Sequence, residues 1–283
     1  MRLGLAIPQY GTFADPESTV TVAKAAEEIG YHSLWVGDRI LAPLDPRDPF
    51  PAGDGVMPIE HHTFLDPLTT LTVAAAATSR VRLGTSTLNA LWHTPVMLAR
   101  TITTLDHVSH GRLDIGIGLG WSRDEYQAVN VDWTKRGARL DEMLDVLETI
   151  WTCDTVKHAG EQWTIPASRI EPKPAQHPRP PILLAGFTPN ALRRIGSRAD
   201  GWLALGMPVS VLDDMWARIR SAATSAKRDP DQLRMVVRIN PQITTNRAAA
   251  EDVPDRGSVQ QIADYALLTH QHGAQEVLLD LQR

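Results

Sequence analysis

The sequence of 283 residues is nearly free of cysteine and carries a single thiol, at Cys153. One cysteine cannot form an internal disulfide bond or supply a multi-thiolate metal site. Such sparse use of cysteine is typical of a reducing compartment, so we expect a cytoplasmic protein. For Cys153 itself we expect the ordinary role of a small buried hydrophobic side chain.

Long apolar runs are also missing. The N-terminal run from Leu3 to Ile7 ends at Pro8 and is too short for the core of a signal peptide. Nowhere does the chain approach the roughly 18 consecutive apolar residues of a membrane-spanning helix. We therefore expect neither export nor a membrane partner.

An excess of positive charge is absent too. The chain has 28 Lys and Arg against 33 Asp and Glu, a formal net charge of −5. A phosphate backbone is bound mainly by clustered basic side chains, so we do not expect nucleic acid as a partner. With 43% hydrophobic and 22% charged residues, the composition is that of an ordinary globular protein.

Short runs rich in Val, Ile and Leu alternate with longer amphipathic segments. Most of the runs are apolar at consecutive positions, the pattern of parallel strands buried on both faces. Eight strands are predicted: Leu3–Ile7, Ser33–Val36, Val81–Ser86, Leu113–Ile117, Ile182–Leu184, Gly201–Leu205, Met235–Asn240 and Glu276–Leu281.

Helices are predicted between the strands from capping residues and prolines at their starts and from glycines after their ends. The clearest are Thr19–Ile29, Leu68–Thr78, Val96–Val108 and Val259–His272. Repeated βα units with eight strands favour a (β/α)8 TIM barrel over an open doubly wound sheet. We expect one such domain over residues 1–283, with a short or missing last helix.

Two long segments interrupt this alternation. Pro43–His62 follows the second predicted strand, and Thr155–Pro181 is a polar, Pro-rich insertion before the fifth. Loops of this length in a compact domain are usually functional lids or partner surfaces. For Pro43–His62, in which Gly53 and Gly55 permit hinge-like changes, a lid and a dimer contact both remain open.

The C-terminal ends of the strands form the functional face of such a barrel. There the sequence places Asp38 and Arg39, a pair that either acts in catalysis or forms only an ion pair at the rim. The glycines of Gly116–Gly120 are spaced too closely for a dinucleotide-binding loop. They suit either a planar ligand lying against the backbone or only a tight exit from the strand. Ala185–Thr188 precedes a helix, where free N–H groups bind anions, although Thr188 can equally be a simple N-cap.

Metal chemistry and two common hydrolytic motifs are not indicated. The histidines His61, His62, His107 and His110 lack the distribution over strand ends that a metal site needs, so no metal is expected. Neither a Gly-x-Ser-x-Gly elbow nor a phosphate-binding P-loop occurs.

Several motifs, in order along nearly the whole chain, resemble the luciferase-like monooxygenase family. Within that family the sequence is most similar to the F420-dependent oxidoreductases of actinobacteria. The segments that carry the resemblance are Ser33–Asp38, Val81–Leu88, Thr94–Arg100, Thr104–Trp121, Arg136–Glu142, Pro181–Phe187, Ala199–Trp202 and Leu278–Gln282.

The resemblance implies a flavin or deazaflavin in the barrel mouth and a cis peptide bond at Ser86–Thr87. It also implies that Gly118–Trp121 border the ring and that Ala185–Thr188 hold the phosphate. The cofactor-binding residues implied in this way are Ser86, Thr87, Asn89, Gly118, Leu119, Gly120, Trp121, Ala185, Gly186, Phe187 and Thr188.

The sequence departs from the family pattern at three places. The sugar-phosphate dehydrogenases of the family have a catalytic histidine where this chain has Arg39 and a glutamate where it has Trp121. Leu205–Pro208 stands where they carry a phosphate-binding lysine. Dehydrogenation of glucose 6-phosphate is therefore not expected.

The resemblance supports three hypotheses of function. The first is an F420-dependent oxidoreductase acting on a small molecule, the second an FMN-dependent monooxygenase, and the third a non-catalytic flavin-binding subunit.

Trp92, Trp121 and Tyr126 are predicted to line an apolar substrate pocket, whereas Trp151 is expected in the core. Because a missing last helix would expose the barrel wall and family members commonly pair, we also expect a homodimer.

Overall fold

The computed structural model describes residues 1–249 and 255–282. Its strands are β1 (Arg2–Ala6), β2 (Ser33–Val36), β3 (Arg82–Thr85), β4 (Leu113–Ile117), β5 (Val156–Ala159), β6 (Thr164–Ser168), β7 (Ile182–Ala185), β8 (Gly201–Leu205), β9 (Arg234–Ile239), β10 (Gln242–Ile243), β11 (Arg256–Gly257) and β12 (Glu276–Leu279). Eight of them pair in parallel and close into a barrel in the order β1-β2-β3-β4-β7-β8-β9-β12. All eight correspond to predicted strands, and the predicted (β/α)8 barrel is confirmed.

Eight α-helices accompany these strands in the described residues. They are α1 (Pro16–Ile29), α2 (Pro67–Ala77), α3 (Pro95–Val108), α4 (Arg123–Ala128), α5 (Arg136–Thr152), α6 (Pro189–Arg198), α7 (Val209–Ser225) and α8 (Val259–Gln271). Four of them begin at a proline directly after the N-cap residue, and α8 begins after the capping Ser258. These starts agree with the predicted signals except at α1.

Helix α1 begins three residues before the predicted start at Thr19. Asp15 rather than Ser18 is its N-cap, because an Asp15 carboxylate oxygen accepts the Ser18 N–H at 2.8 Å. At the other end Gly30 has a φ of 101°, the left-handed conformation that ends many helices. Helix α8 has a full capping box between Ser258 and Gln261.

The barrel is filled by large apolar side chains that point inward from several strands. Trp35 lies at its centre with 1% exposure and packs with Leu183, Leu203, Val236 and Leu278. The opposite faces of the strands pack against the helices, so most barrel strands are buried on both sides, with β1 the most exposed. This rigid interior fixes the strand ends from which the loops of the mouth emerge.

The insertion before β7 contains an element that was not predicted, an antiparallel hairpin of β5 and β6. Glu142 of α5 holds it by accepting the N–H groups of Gln162 and Trp163 at 3.0–3.1 Å. Trp151 is 2% exposed, which confirms its place in the core. The expectation that Cys153 is buried is wrong, because α5 ends at Thr152 and Cys153 is exposed at its C-cap.

The residues described after β12 are 280–282, and none of them is helical. Leu3 on the neighbouring β1 is 36% exposed, as expected for a wall without a covering helix at that point. Among residues 1–249 and 255–282, no helix has the length and apolar character needed to cross a membrane.

Candidate active site

Two adjoining cavities open at the C-terminal ends of the barrel strands. The first, which we call the front cavity, has a volume of about 270 Å³ and lies under the loop at 43–62. The second, the rear cavity, has about 490 Å³ and lies against the start of α6. Seven residues line both cavities and join them into one site: Pro51, Ser86, Thr87, Gly120, Trp121, Leu205 and Arg238.

All but one of the predicted site residues lie at these two cavities. Asp38, Arg39, Asn89 and Trp92 line the front cavity. Gly118, Leu119, Ala185, Gly186, Phe187 and Thr188 line the rear cavity. Ser86, Thr87, Gly120 and Trp121 lie between them.

Tyr126 is the exception, and the prediction that it lines the pocket is wrong. Its side chain is 1% exposed, and its hydroxyl donates to the carbonyl oxygen of Leu119 at 2.6 Å. Asn89 Nδ2 donates to the same hydroxyl oxygen at 3.2 Å. Burial raises the pKa of Tyr126 to about 12. The residue therefore supports the cavity wall from behind instead of forming it.

The wall between the cavities is backbone. The Ser86–Thr87 peptide bond is cis, as the resemblance implied. The end of β4 passes so close to it that a Cβ on Gly118 would lie 2.4 Å from Thr87 Oγ1, and one on Gly116 would lie 1.9 Å from the Thr85 carbonyl oxygen. Only glycine at these positions lets the two strand ends meet, which explains the Gly-x-Gly spacing.

Asp38 lies at the inner wall of the front cavity. One of its carboxylate oxygens accepts the Asn89 N–H at 2.9 Å. Burial raises its pKa from 3.8 to about 7, and the nearby Glu125 adds to the rise while the Asn89 N–H opposes it. The carboxyl group can therefore hold or release a proton near neutral pH.

Arg39 does not form the rim ion pair with Asp38 that the sequence left open. Its Nη1 lies 3.8 Å from Glu125 Oε1, and its guanidinium group lies 5.1 Å from the centre of the Trp121 ring. The side chains of Arg39 and Glu125 are only 8% and 3% exposed. Burial raises the pKa of Glu125, whereas the charge of Arg39 and the Ile40 N–H act against that rise.

Aromatic side chains enclose the rest of the front cavity. The Phe50 ring meets Trp121 and His61 edge to face, with centroids 5.6 and 5.3 Å apart. Tyr10 stacks on Phe64 at 5.0 Å. Burial lowers the pKa of His61 to about 4, so its imidazole is neutral at pH 7.

Arg238 is a site residue that sequence reasoning missed. It lines both cavities, donates to the carbonyl oxygen of Ser86 and forms an ion pair with Asp280, whose other carboxylate oxygen accepts the Tyr10 hydroxyl. Its only signal in the sequence is a charged residue inside the apolar run of β9. A cation inside a barrel strand needs a partner, and that partner comes from the end of β12.

The rear cavity has a basic end. Thr188 caps α6, since its Oγ1 accepts the Ala191 N–H at 3.3 Å, so the simple N-cap interpretation of this residue is confirmed. Arg194 pairs with Asp141 at 2.6 Å, and Arg136 lies 3.7 Å from the centre of the Trp133 ring. Both arginines line the cavity beside the start of the helix, which makes this end suited to an anion.

The family model described as luciferase-like monooxygenase matches residues 2–281. An uncharacterized protein of Mycobacterium tuberculosis is 33% identical over 225 residues, 75% of this chain and 80% of that protein. The oxygenase component of the flavin-dependent trigonelline monooxygenase of Acinetobacter baylyi is 32% identical, over 62% of this chain and 44% of its own. The F420-dependent glucose-6-phosphate dehydrogenase of Amycolatopsis mediterranei is 27% identical, over 79% and 64%.

Solved structures share the fold. The monooxygenase RslO1 from Streptomyces bottropensis matches with a TM-score of 0.81 and 20% identity, over 99% of this chain and 91% of that chain. An F420-dependent secondary alcohol dehydrogenase, solved with an F420-acetone adduct, matches with a TM-score of 0.80 and 16% identity, over 99% and 93%.

Proposed function

The chain belongs to the luciferase-like monooxygenase family, and from this premise we propose that it is an F420-dependent oxidoreductase that acts on a small organic substrate. The coarser statement, an F420- or flavin-dependent oxidoreductase or monooxygenase, rests on the family and its characterised relatives. The observation that supports the finer proposal is the division of the mouth into an anion-binding rear cavity and an aromatic front cavity.

The residues of the rear cavity fit a deazaflavin. Gly118 and Gly120 add no side chains of their own to the cavity wall beside the cis bond, which suits a flat ring lying close to the main chain. The start of α6 with Arg136 and Arg194 suits the phosphate of the cofactor. Apolar side chains such as Leu184 and Ile195 complete the walls.

When bound, F420 supplies a carbon that donates or accepts a hydride, and the protein orients the reactants and excludes water. Asp38 holds a proton close to neutral pH at the wall of the front cavity. By the resemblance, Arg39 and Trp121 stand where the sugar-phosphate dehydrogenases of the family have a histidine and a glutamate. Arg39 remains a cation and stabilises negative charge on an oxygen atom instead of transferring a proton.

An FMN-dependent monooxygenase is the second candidate function. The observation in its favour is the higher identity to the oxygenase component of a flavin-dependent monooxygenase, 32% against 27% to the F420-dependent dehydrogenase. The fold is common to both activities and does not separate them.

The experiment that tests the proposal is a titration of the purified protein with F420 and, in parallel, with FMN, followed by cofactor fluorescence. We expect saturable quenching with F420 at concentrations at least tenfold below those needed for FMN. Arg194→Met should weaken F420 binding, whereas Arg218→Met, an exposed arginine on α7, should not. Tighter binding of FMN would favour the monooxygenase, and binding of neither would overturn the proposal.

We further propose that the protein forms a two-fold homodimer through the incompletely covered wall near β1, where Leu3 and Met1 are 36% and 46% exposed. Light scattering at micromolar concentration should give twice the chain mass of 31.2 kDa. A monomer without concentration dependence would contradict this.

A further inference from the structure

The front cavity concentrates buried polar side-chain atoms that make no hydrogen bond. Within residues 1–249 and 255–282, seven buried side-chain nitrogen or oxygen atoms lack one, and four of these belong to residues that line this cavity. They are Arg39 Nη1, Trp92 Nε1, Arg238 Nε and His61 Nδ1. Unpaired buried polar atoms are rare and costly in folded proteins, so their concentration here points to a ligand.

Three of these four atoms can only donate. The nitrogens of Arg39, Arg238 and Trp92 carry hydrogen and have no acceptor lone pair, whereas the neutral imidazole of His61 can donate or accept. A ligand that satisfies them must present oxygen or nitrogen acceptors. A hydrocarbon would leave all of them unpaired.

The charges that line each cavity determine whether it suits a neutral or an anionic ligand. Asp38, Glu60 and Glu125 line the front cavity beside the two guanidinium groups, and an anion there would face these carboxyl groups. The described lining of the rear cavity includes three arginines and no carboxyl group. An anionic group is therefore favoured at the rear and disfavoured at the front.

The shape favours a flat molecule. Phe50, His61 and Trp121 meet edge to face around the front cavity. Its volume of about 270 Å³ lies just below the range of roughly 300–1,000 Å³ typical of ligand pockets. Aromatic walls of this kind contact planar rings over their whole surface.

We propose that the substrate bound in the front cavity is a neutral, planar compound with a carbonyl oxygen that accepts hydrogen bonds from Arg39 and Trp92. The term substrate rests on the proposed function, whereas the class of compound rests on the cavity alone. Arg238 lines both cavities, and its Nε–H donates to a second acceptor on the substrate or on the neighbouring cofactor.

Three naphthalenes that share one ring system test this inference. 2-Acetylnaphthalene has the neutral carbonyl group, 2-ethylnaphthalene lacks the oxygen, and 2-naphthoate carries a negative charge. Calorimetric titration into the protein, with and without saturating F420, should give at least tenfold tighter binding for the ketone than for either analogue. Equal affinity for the hydrocarbon, or tighter binding of the carboxylate, would overturn the proposal.

Two variants locate the hydrogen bonds. Trp92→Phe keeps the ring and removes its N–H, and Arg39→Met keeps most of the side-chain volume and removes its donors. Each should weaken binding of the ketone about tenfold and leave binding of the hydrocarbon unchanged, while Arg218→Met on the exposed face of α7 changes neither. An unchanged preference for the ketone in both variants would refute the assignment. Failure of F420 to bind would overturn the proposed cofactor, yet the comparison of the three naphthalenes would still decide the ligand class.

Discussion

Both ends of the barrel bury charged side chains, but Asp114 at one end and Arg39 at the other differ in how closely their partners lie. At the N-terminal end, Asp114 is 2% exposed and binds Arg82 at 2.7 Å and Arg234 at 2.6 Å. At the C-terminal end, Arg39 is 8% exposed and its nearest carboxylate oxygen is 3.8 Å away. The Asp114 cluster is fully hydrogen-bonded, whereas Arg39 Nη1 makes no hydrogen bond. Not every cation at the mouth is like Arg39, since Arg238 pairs with Asp280.

The same contrast appears in the two aspartates. Burial acts to raise the pKa of both, but at Asp114 the hydrogen bond from Arg82 and the charges of Arg82 and Arg234 outweigh it and lower the pKa. At Asp38 the Asn89 N–H and the charge of Arg39 oppose burial less effectively, and the pKa is raised to about 7. Burial alone therefore does not determine the state of a carboxyl group, and the position of its partners does.

The Asp114 cluster and the mouth therefore have different roles in the barrel. Asp114, Arg82 and Arg234 satisfy one another, so this cluster contributes to the fold without a ligand. At the mouth, the Arg39 and Trp92 nitrogens without hydrogen bonds are costly for the protein, and in our proposal a ligand supplies the missing acceptors.

The largest effect is expected from breaking the ionic cluster at the N-terminal end. Asp114→Asn leaves Arg82 and Arg234 without their common counter-ion in a buried setting, which should lower the free energy of unfolding by ~3–5 kcal/mol. Urea denaturation measures this loss. The affinity for F420 should stay within about twofold of the wild type, because the cluster lies at the other end of the barrel.

The matched control is Asp231→Asn. Asp231 also pairs with an arginine, Arg220 at 2.7 Å, but its side chain is 76% exposed. Exposed pairs contribute about 0–1 kcal/mol, so this variant should unfold nearly as the wild type does. If both variants lost the same stability, burial would not explain the difference between them.

The next variant should cost less stability than Asp114→Asn but weaken cofactor binding more. In Gly118→Ala the new Cβ would lie 2.4 Å from Thr87 Oγ1 and must displace that side chain at the wall between the cavities. We expect a cost of ~1–3 kcal/mol in stability and a loss of cofactor affinity of at least tenfold, measured by fluorescence titration. In Gly37→Ala the nearest contact is an ordinary 3.6 Å to the Phe64 ring. An equal loss of cofactor affinity in that variant would contradict the steric explanation.

The barrel and much of the mouth could be predicted because their signals are local. Consecutive apolar residues identified the eight strands, and Asp66 before Pro67 marked a helix start that the structure has. The side chains after each strand then followed from topology, since the ends of parallel strands meet at one face. Asp38, Trp92 and Gly118 reached the mouth for this reason.

The features that the sequence did not predict depend on the orientation of a side chain or on a partner far along the chain. Tyr126 follows β4 as Trp121 does, but its position in α4 turns its ring inward against Trp133, 4.9 Å away. Arg238 becomes a site residue only because Asp280, 42 positions later, pairs with it. No local pattern reports either fact. The hairpin of β5 and β6 was hidden by the polar, Pro-rich composition of its insertion.

The third prediction concerns the pH dependence of stability through Asp38. Its folded pKa of about 7 lies above the ordinary value of 3.8, so between these values the folded state binds a proton that the unfolded state has lost. Stability therefore falls as pH rises through this window and is lowest above pH 7. Asp38→Asn removes this dependence, and the variant should gain about 2 kcal/mol relative to the wild type between pH 5 and pH 8.

Urea denaturation at the two pH values measures that relative gain. Asp45→Asn in the exposed part of the loop serves as the control and should follow the wild type at both. A parallel pH series of F420 binding should show an inflection near pH 7 that disappears in Asp38→Asn. If both pH responses were the same with and without Asp38, another group would be responsible for them.

The smallest effect is expected at the loop that covers the front cavity. Arg47 pairs with Asp124 at 3.5 Å and Asp48 pairs with Arg123 at 3.3 Å, so the loop and the start of α4 exchange opposite charges. Each carboxylate also accepts a backbone N–H from the other segment, at 3.0 and 2.8 Å. Arg47 and Arg123 are more than half exposed, so their loss together should cost less than about 1 kcal/mol of global stability. Local opening, however, depends on these contacts.

Hydrogen exchange of the amides at 47–61 distinguishes local opening from global unfolding. In the wild type, exchange should accelerate in 1 M salt, which screens the two exposed pairs. It should slow when F420 binds in the adjoining rear cavity, which Pro51 of the loop also lines. In Arg47→Ala/Arg123→Ala, exchange should already be fast at low salt and should no longer respond to salt, with global stability nearly unchanged. Exchange that ignored both salt and cofactor would exclude a lid and leave the dimer contact as the role of this loop, because a surface held by a second chain does not open with the mouth.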